Sequence, residues 1–144
     1  MLVQQILNSK ASDAVVTVTP GTKIRDAAQI LADKRIGTVV ISASGDTADG
    51  ILSERDIVRE LAARGATCLS ENVEAYMTSK LVTCTRADNA DSVLKRMTDG
   101  RFRHMPVVED GKLIGLITLG DAVKARLSEL AMEKDALEGM IMGH

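Results

Sequence analysis

The 144-residue sequence predicts a mixed α/β fold of two tandem β-α-β-β-α units, packed sheet to sheet with pseudo-twofold symmetry. Three observations predict it. The second half lies on the first at an offset of sixty-six, Val16-Thr17-Val18-Thr19 falling on Val82-Thr83-Cys84-Thr85, Asp33 on Asp99, Arg35 on Arg101 and Ile41 on Val107. After one loop deletion the offset becomes sixty-five, and Gly50-Ile51-Leu52-Ser53-Glu54-Arg55-Asp56 falls on Gly115-Leu116-Ile117-Thr118-Leu119-Gly120-Asp121. Within each copy, apolar periodicity switches from strand-like to helical and back in the same order.

Each unit opens on a short β-type stretch, expected at Val15 to Thr19 and again at Leu81 to Thr85. A helix follows, because Ile24, Ala27, Ala28 and Leu31 recur at helical spacing, as do Ala90, Val93, Leu94 and Met97. Two apolar strands come next, Thr38 to Ile41 with Gly50 to Leu52, then Met105 to Val108 with Leu113 to Ile117. Asp110-Gly111 joins the second pair and is a strong hairpin signal. The first pair is joined by a longer Ser-, Gly- and Asp-rich loop, Ser42 to Asp49. A second helix closes each unit, at Arg55 to Arg64 and from Leu119 onward. One copy of roughly 60 residues buries little surface alone, so the two are expected to share a core and to leave equivalent clefts between them. The units are placed at residues 8–68 and 77–135, with an N-terminal segment before them. The C-terminal helix is long; Leu127, Leu130, Leu137 and Ile141 form an interrupted stripe that either folds on its own core or faces a partner.

Composition excludes several function classes. Tyr76 and Phe102 are the only aromatics, which removes the stacking platforms of single-strand nucleic-acid binders. A net charge of −2 supplies no overall basic field for nucleic acid or an anionic membrane. No apolar run approaches membrane-spanning length, and Met1 to Lys10 lacks a signal-peptide pattern. Cys68 and Cys84 fit no metal or disulfide spacing, so a reducing compartment, by default the cytoplasm, is expected. There is no Walker A sequence, no Gly-x-Ser-x-Gly elbow and no His-Glu-x-x-His pair, and His104 and His144 are the only histidines. Two repeats consume the length, and the expectation is that the chain is not an enzyme.

The motif with chemical content is Gly-apolar-apolar-Ser/Thr-x-x-Asp, present twice. Structurally it reads as a capping box, with Ser53 and Thr118 capping the next helix and Asp56 and Asp121 at its third position. Functionally, a helix N-terminus favours a phosphate and a carboxylate can accept two hydrogen bonds from a ribose diol. Both readings stay open on local chemistry alone.

With these motifs in their order, the chain resembles a tandem pair of cystathionine-β-synthase (CBS) domains, a Bateman module. The resemblance runs from about Val15 to Leu127 and rests on Thr17-Val18-Thr19-Pro20, Ile36-Gly37-Thr38-Val39-Val40, Met77-Thr78, Arg103-His104-Met105-Pro106-Val107-Val108 and the two Asp motifs. It implies a regulatory sensor of an adenosine nucleotide, AMP first, with ADP, ATP, NAD(H) and S-adenosylmethionine as other members of the class. It implies Ser53, Asp56, Thr118 and Asp121 on phosphate and ribose, and an adenine pocket lined by Thr17, Val18 and Thr19, by Thr83 to Thr85 (Cys84 between them), by Gly37 and Thr38, and by His104, Met105 and Pro106. It also implies a homodimer and a regulated protein whose identity the sequence does not carry. Arg101, Arg103 and His104 form the dense basic cluster of copy two, and at least one is a phosphate-contact candidate against a solvated alternative. Copy one has Gly37 and Thr38 in the places of Arg103 and His104, so the clefts are expected to differ. Arg55 is a candidate against simple exposure. The rival readings are a ligand-free docking scaffold, in which both motifs are only caps, and nucleic-acid binding through Arg101 to His104.

Overall fold

The computed structural model describes residues 1–10 and 14–142. Its order is α1 (Val3–Ser9), β1 (Thr17–Val18), α2 (Ile24–Lys34), β2 (Thr38–Ile41), β3 (Gly50–Ser53), α3 (Glu54–Arg64), two 3-10 segments (Gly65–Ser70 and Val73–Ala75), α4 (Ala90–Gly100), β4 (His104–Glu109), β5 (Lys112–Thr118) and α5 (Leu119–Met142). In repeat one β1 runs parallel to β2, which pairs antiparallel with β3. In repeat two β4 and β5 form an antiparallel hairpin whose turn residues, Asp110 and Gly111, both have positive φ, as a two-residue type I′ connection requires.

The opening strands are shorter than the pattern suggests. Only Thr17 and Val18 pair with β2 in repeat one. In repeat two the expected strand shrinks to a single parallel bridge, Cys84 to Val107. The cause is Pro106: in repeat one the Val40 amide donates to the Val16 carbonyl at 3.1 Å, whereas the proline at the matching position of repeat two has no N–H to give the Val82 carbonyl.

Each repeat carries its own main core cluster. Val18, Ile24, Ala27, Leu31, Val39, Ile41, Leu52, Ile57 and Val73 form one cluster, and Cys84, Ala90, Val93, Met97, Met105, Val107, Ile117, Ala122 and Ala125 form another with Val3, Ile6 and Leu7. Strand alternation explains the separation: Val39, Ile41 and Leu52 point to their own helices, while Val40 and Ile51, also buried, lie on the opposite face, as does Pro106 in repeat two. Those opposite faces are where the two sheets meet.

What completes each core is an arm exchanged between repeats. The segment before repeat one docks on repeat two, where the Val3 amide donates to the Asp88 carbonyl at 2.7 Å and the Ala90 amide to the Met1 carbonyl at 2.9 Å. The segment before repeat two docks on repeat one by matching bonds, Val73 amide to Thr22 carbonyl at 2.8 Å and Ile24 amide to Glu71 carbonyl at 2.9 Å. Glycine makes room for each arm: a Cβ on Gly115 would lie 2.6 Å from Leu7, and one on Gly50 would lie 2.4 Å from Met77 Sδ.

Helix α5 buries only Ala122 and Ala125. Leu127, Leu130, Leu137 and Ile141 are all exposed, so the stripe does not fold on the chain's own core. No described helix is long and apolar enough to cross a membrane.

Candidate functional site

Each strand–helix junction is built the same way. Ser53 is extended at φ −102°, ψ 161°, which lets its hydroxyl accept the Asp56 amide at 3.2 Å while Asp56 Oδ2 accepts the Ser53 amide at 2.9 Å. Thr118 and Asp121 repeat this at 3.1 and 2.9 Å. The Glu54 amide donates to the Gly37 carbonyl at 2.9 Å and the Leu119 amide to the Arg103 carbonyl at 2.8 Å, which ties each helix start to the strand entry of its own repeat. Both Ser/Thr-x-x-Asp motifs are therefore helix caps, whatever else they do.

The two helix starts open on one cleft of about 760 Å³ between the repeats. Repeat one supplies Gly37, Ser53, Arg55 and Asp56; repeat two supplies Arg101, Arg103, His104 and Thr118. The strand entries of the two repeats meet in the cleft, a Gly37 Cβ position lying 3.8 Å from His104 Nε2 and 3.6 Å from Glu54 Oε1. The remaining sequence candidates lie elsewhere. Val18 and Met105 are core residues of the two repeats and Pro106 is buried on its sheet. The Thr38 hydroxyl is buried and donates to the Leu52 carbonyl at 3.0 Å. Burial pushes the Cys84 thiol up to about 12, with Asp88 adding to the shift and Arg96 opposing it, so this cysteine is an inert packing group. Thr17 is half-buried on β1, while Thr19 and Thr83 are exposed; none of the three lines the cleft, nor does Asp121. His144 lies outside the described residues.

The cleft also contains residues the motif reading missed, chief among them Lys80 and Arg59. A signal for Lys80 exists: the two exchanged arms are themselves a short repeat at an offset of seventy, with Val3 matching Val73, Leu7 matching Met77 and Ser9-Lys10 matching Ser79-Lys80.

That repeat also explains why the two carboxylates differ. In repeat one the Thr78 amide donates to the Ile51 carbonyl at 2.9 Å, and Lys80 is left exposed at the cleft. In repeat two arm α1 is helical to Ser9, and the Lys10 ammonium takes the matching Leu116 carbonyl at 2.8 Å and Asp121 Oδ2 at 2.8 Å. Burial raises the Asp121 carboxyl, but the bonds from Lys10 and Thr118 outweigh it and hold the group below the usual range. Asp56 has instead Arg59 at 3.2 Å, an exposed side chain that is easily displaced. His104 is pushed below its ordinary range by burial, with Glu54 and Asp121 opposing and Arg103 and Lys10 adding to the shift. Among the described residues no His/Cys/Asp/Glu cluster could hold a metal ion.

The CBS domain family model matches residues 3–63 and 73–128. The chain belongs to the CBS domain family. It is 30% identical over 148 residues to the CBS domain-containing protein CBSX3, mitochondrial, of Arabidopsis thaliana, covering 98% of this chain and 72% of that one. The crystal structure of the CBS-domain containing protein ATU1752 from Agrobacterium tumefaciens superposes with a TM-score of 0.83 at 41% identity, over 88% of this chain and 99% of that one. The CBS domain pair of protein MJ0100, solved in complex with 5′-methylthioadenosine and S-adenosyl-L-methionine, gives a TM-score of 0.74 at 27% identity, over 93% and 98% of the two chains. CBS domains are regulatory modules, and a tandem pair with its long C-terminal helix is the architecture found here.

Proposed function

We propose that this CBS pair is a regulatory module that binds an adenosine nucleotide in the cleft between its repeats. The observation that carries the reading is the cleft itself: about 760 Å³ of open space lined by Ser53 and Asp56 of one repeat together with Arg101, Arg103 and His104 of the other. Asp56 accepts the ribose hydroxyls once Arg59 swings away, and the basic strand entry takes phosphate. The adenosine compounds bound by the MJ0100 pair support the ligand class. Because the ligand touches both repeats, it favours one relative arrangement of them and changes the affinity for a regulated protein by the same free energy. A second copy of the chain is the partner proposed for the exposed faces of α3 (Val58, Leu61) and α5 (Val123, Leu127), of which Val58 and Val123 occupy matching positions in the two repeats.

Thermal melting against an adenosine panel tests this. A ligand at 100 times its dissociation constant adds about 2.7 kcal/mol, and Asp56→Asn removes most of that gain. No shift with any adenosine compound contradicts the reading. The satisfied capping boxes favour the docking scaffold as a second reading, and that absence of a shift is what it predicts.

A further inference from the structure

We infer that the cleft selects an adenosine nucleotide with a chain of two or more phosphates over AMP, and that Arg101 makes the selection; this rests on the nucleotide-binding reading above. Five lining side chains are Lys or Arg against two carboxylates, Glu54 and Asp56. Asp56 is spoken for by its cap and by Arg59. The other four cations, Arg55, Lys80, Arg101 and Arg103, make no salt bridge among the described residues. Helices α3 and α5 both begin in the same cleft and add their partial positive charge. So large an excess of unpaired positive charge facing one space calls for a polyanion, since each added phosphate brings roughly one more negative charge. It also disfavours S-adenosylmethionine, whose sulfonium would face the same cations.

Arg101 stands out by its backbone. It ends α4 with φ 56°, a conformation that glycine adopts freely and L side chains rarely do. Arg35 ends α2 in the same way, with φ 54°, at the matching position of repeat one, but does not line the cleft. The pair supplies an internal control: Arg35→Gly and Arg101→Gly make one backbone change, at one kind of helix end, with and without the cleft.

Titration calorimetry of AMP, ADP, ATP and S-adenosylmethionine, without divalent metal, reads the selection. Wild-type protein is expected to bind ADP and ATP at least about tenfold more tightly than AMP, with the gap narrowing as salt rises, and to give no heat with S-adenosylmethionine. Arg101→Gly collapses the gap and leaves the melting temperature of the free protein unchanged or raised; Arg35→Gly keeps the gap. Equal or tighter binding of AMP, binding of S-adenosylmethionine, or a gap that survives Arg101→Gly overturns the inference and leaves the nucleotide reading intact. Silence with all four compounds overturns both. Should Arg101→Gly fail to fold, the wild-type order of affinities still decides.

Discussion

Asp56 Oδ2 accepts from both the amide and the hydroxyl of Ser53, at 2.9 and 3.0 Å, and Oδ1 accepts from Arg59. A carboxylate has about four acceptor positions, so one remains and a second is held only by an exposed arginine. Capping and ligand binding are therefore compatible in one side chain. Ser53→Ala should cost about 1 kcal/mol of stability in the free protein, measured by chemical denaturation; a neutral result would deny the cap. Through its burial, His104 gives stability a pH dependence of definite expected sign. Its folded pKa is depressed, so as pH falls below about 6.5 the unfolded chain takes up a proton before the folded one does, and stability is lost. Melting of the free protein between pH 7.5 and 5.5, compared with His104→Gln, should show the larger loss in the wild type. Parallel curves would place His104 in a more solvated setting than the cleft provides.

At the scale of elements, the exchanged arms matter most. Leu7 sits in repeat two's core against Gly115, so Leu7→Ala should cost about 2 to 3 kcal/mol by chemical denaturation, although Leu7 precedes both repeats. An unchanged midpoint would mean that α1 does not complete that core. The helices and hairpins were legible because their signals are local: apolar spacing in α2 and α4, Asp110-Gly111 at the β4–β5 turn, a Ser/Thr-x-x-Asp cap before α3 and α5. The shortness of the opening strand in repeat two is not carried by apolar alternation: it comes from Pro106, which stands where Val40 gives its amide to the Val16 carbonyl and has no N–H to give. Of the candidate site, Ser53, Asp56 and Arg101 to His104 could be read as chemistry, but their meeting across repeats could not. Thr17, Thr38 and Cys84 were drawn in by strand position, and the fold spends Thr38 and Cys84 on strand pairing and packing.

At the scale of the whole molecule, the duplication gives two equivalent frames filled unequally. Arg103 and His104 stand where repeat one has Gly37 and Thr38, and Lys10 pairs with Asp121 while its counterpart Lys80 lines the cleft with no salt bridge among the described residues. Two identical nucleotide sites per chain are therefore not expected, and a calorimetric stoichiometry of two indistinguishable sites would count against the asymmetry. The most direct test of the central claim is a crystal structure of the full chain grown with ADP. Density for the nucleotide between the repeats is predicted, with its ribose on the Asp56 carboxylate, Arg59 displaced and the phosphates toward Arg101 and Arg103. Nucleotide bound outside this cleft, or a cleft left empty at saturating ADP with the Asp56–Arg59 pair intact, would contradict it.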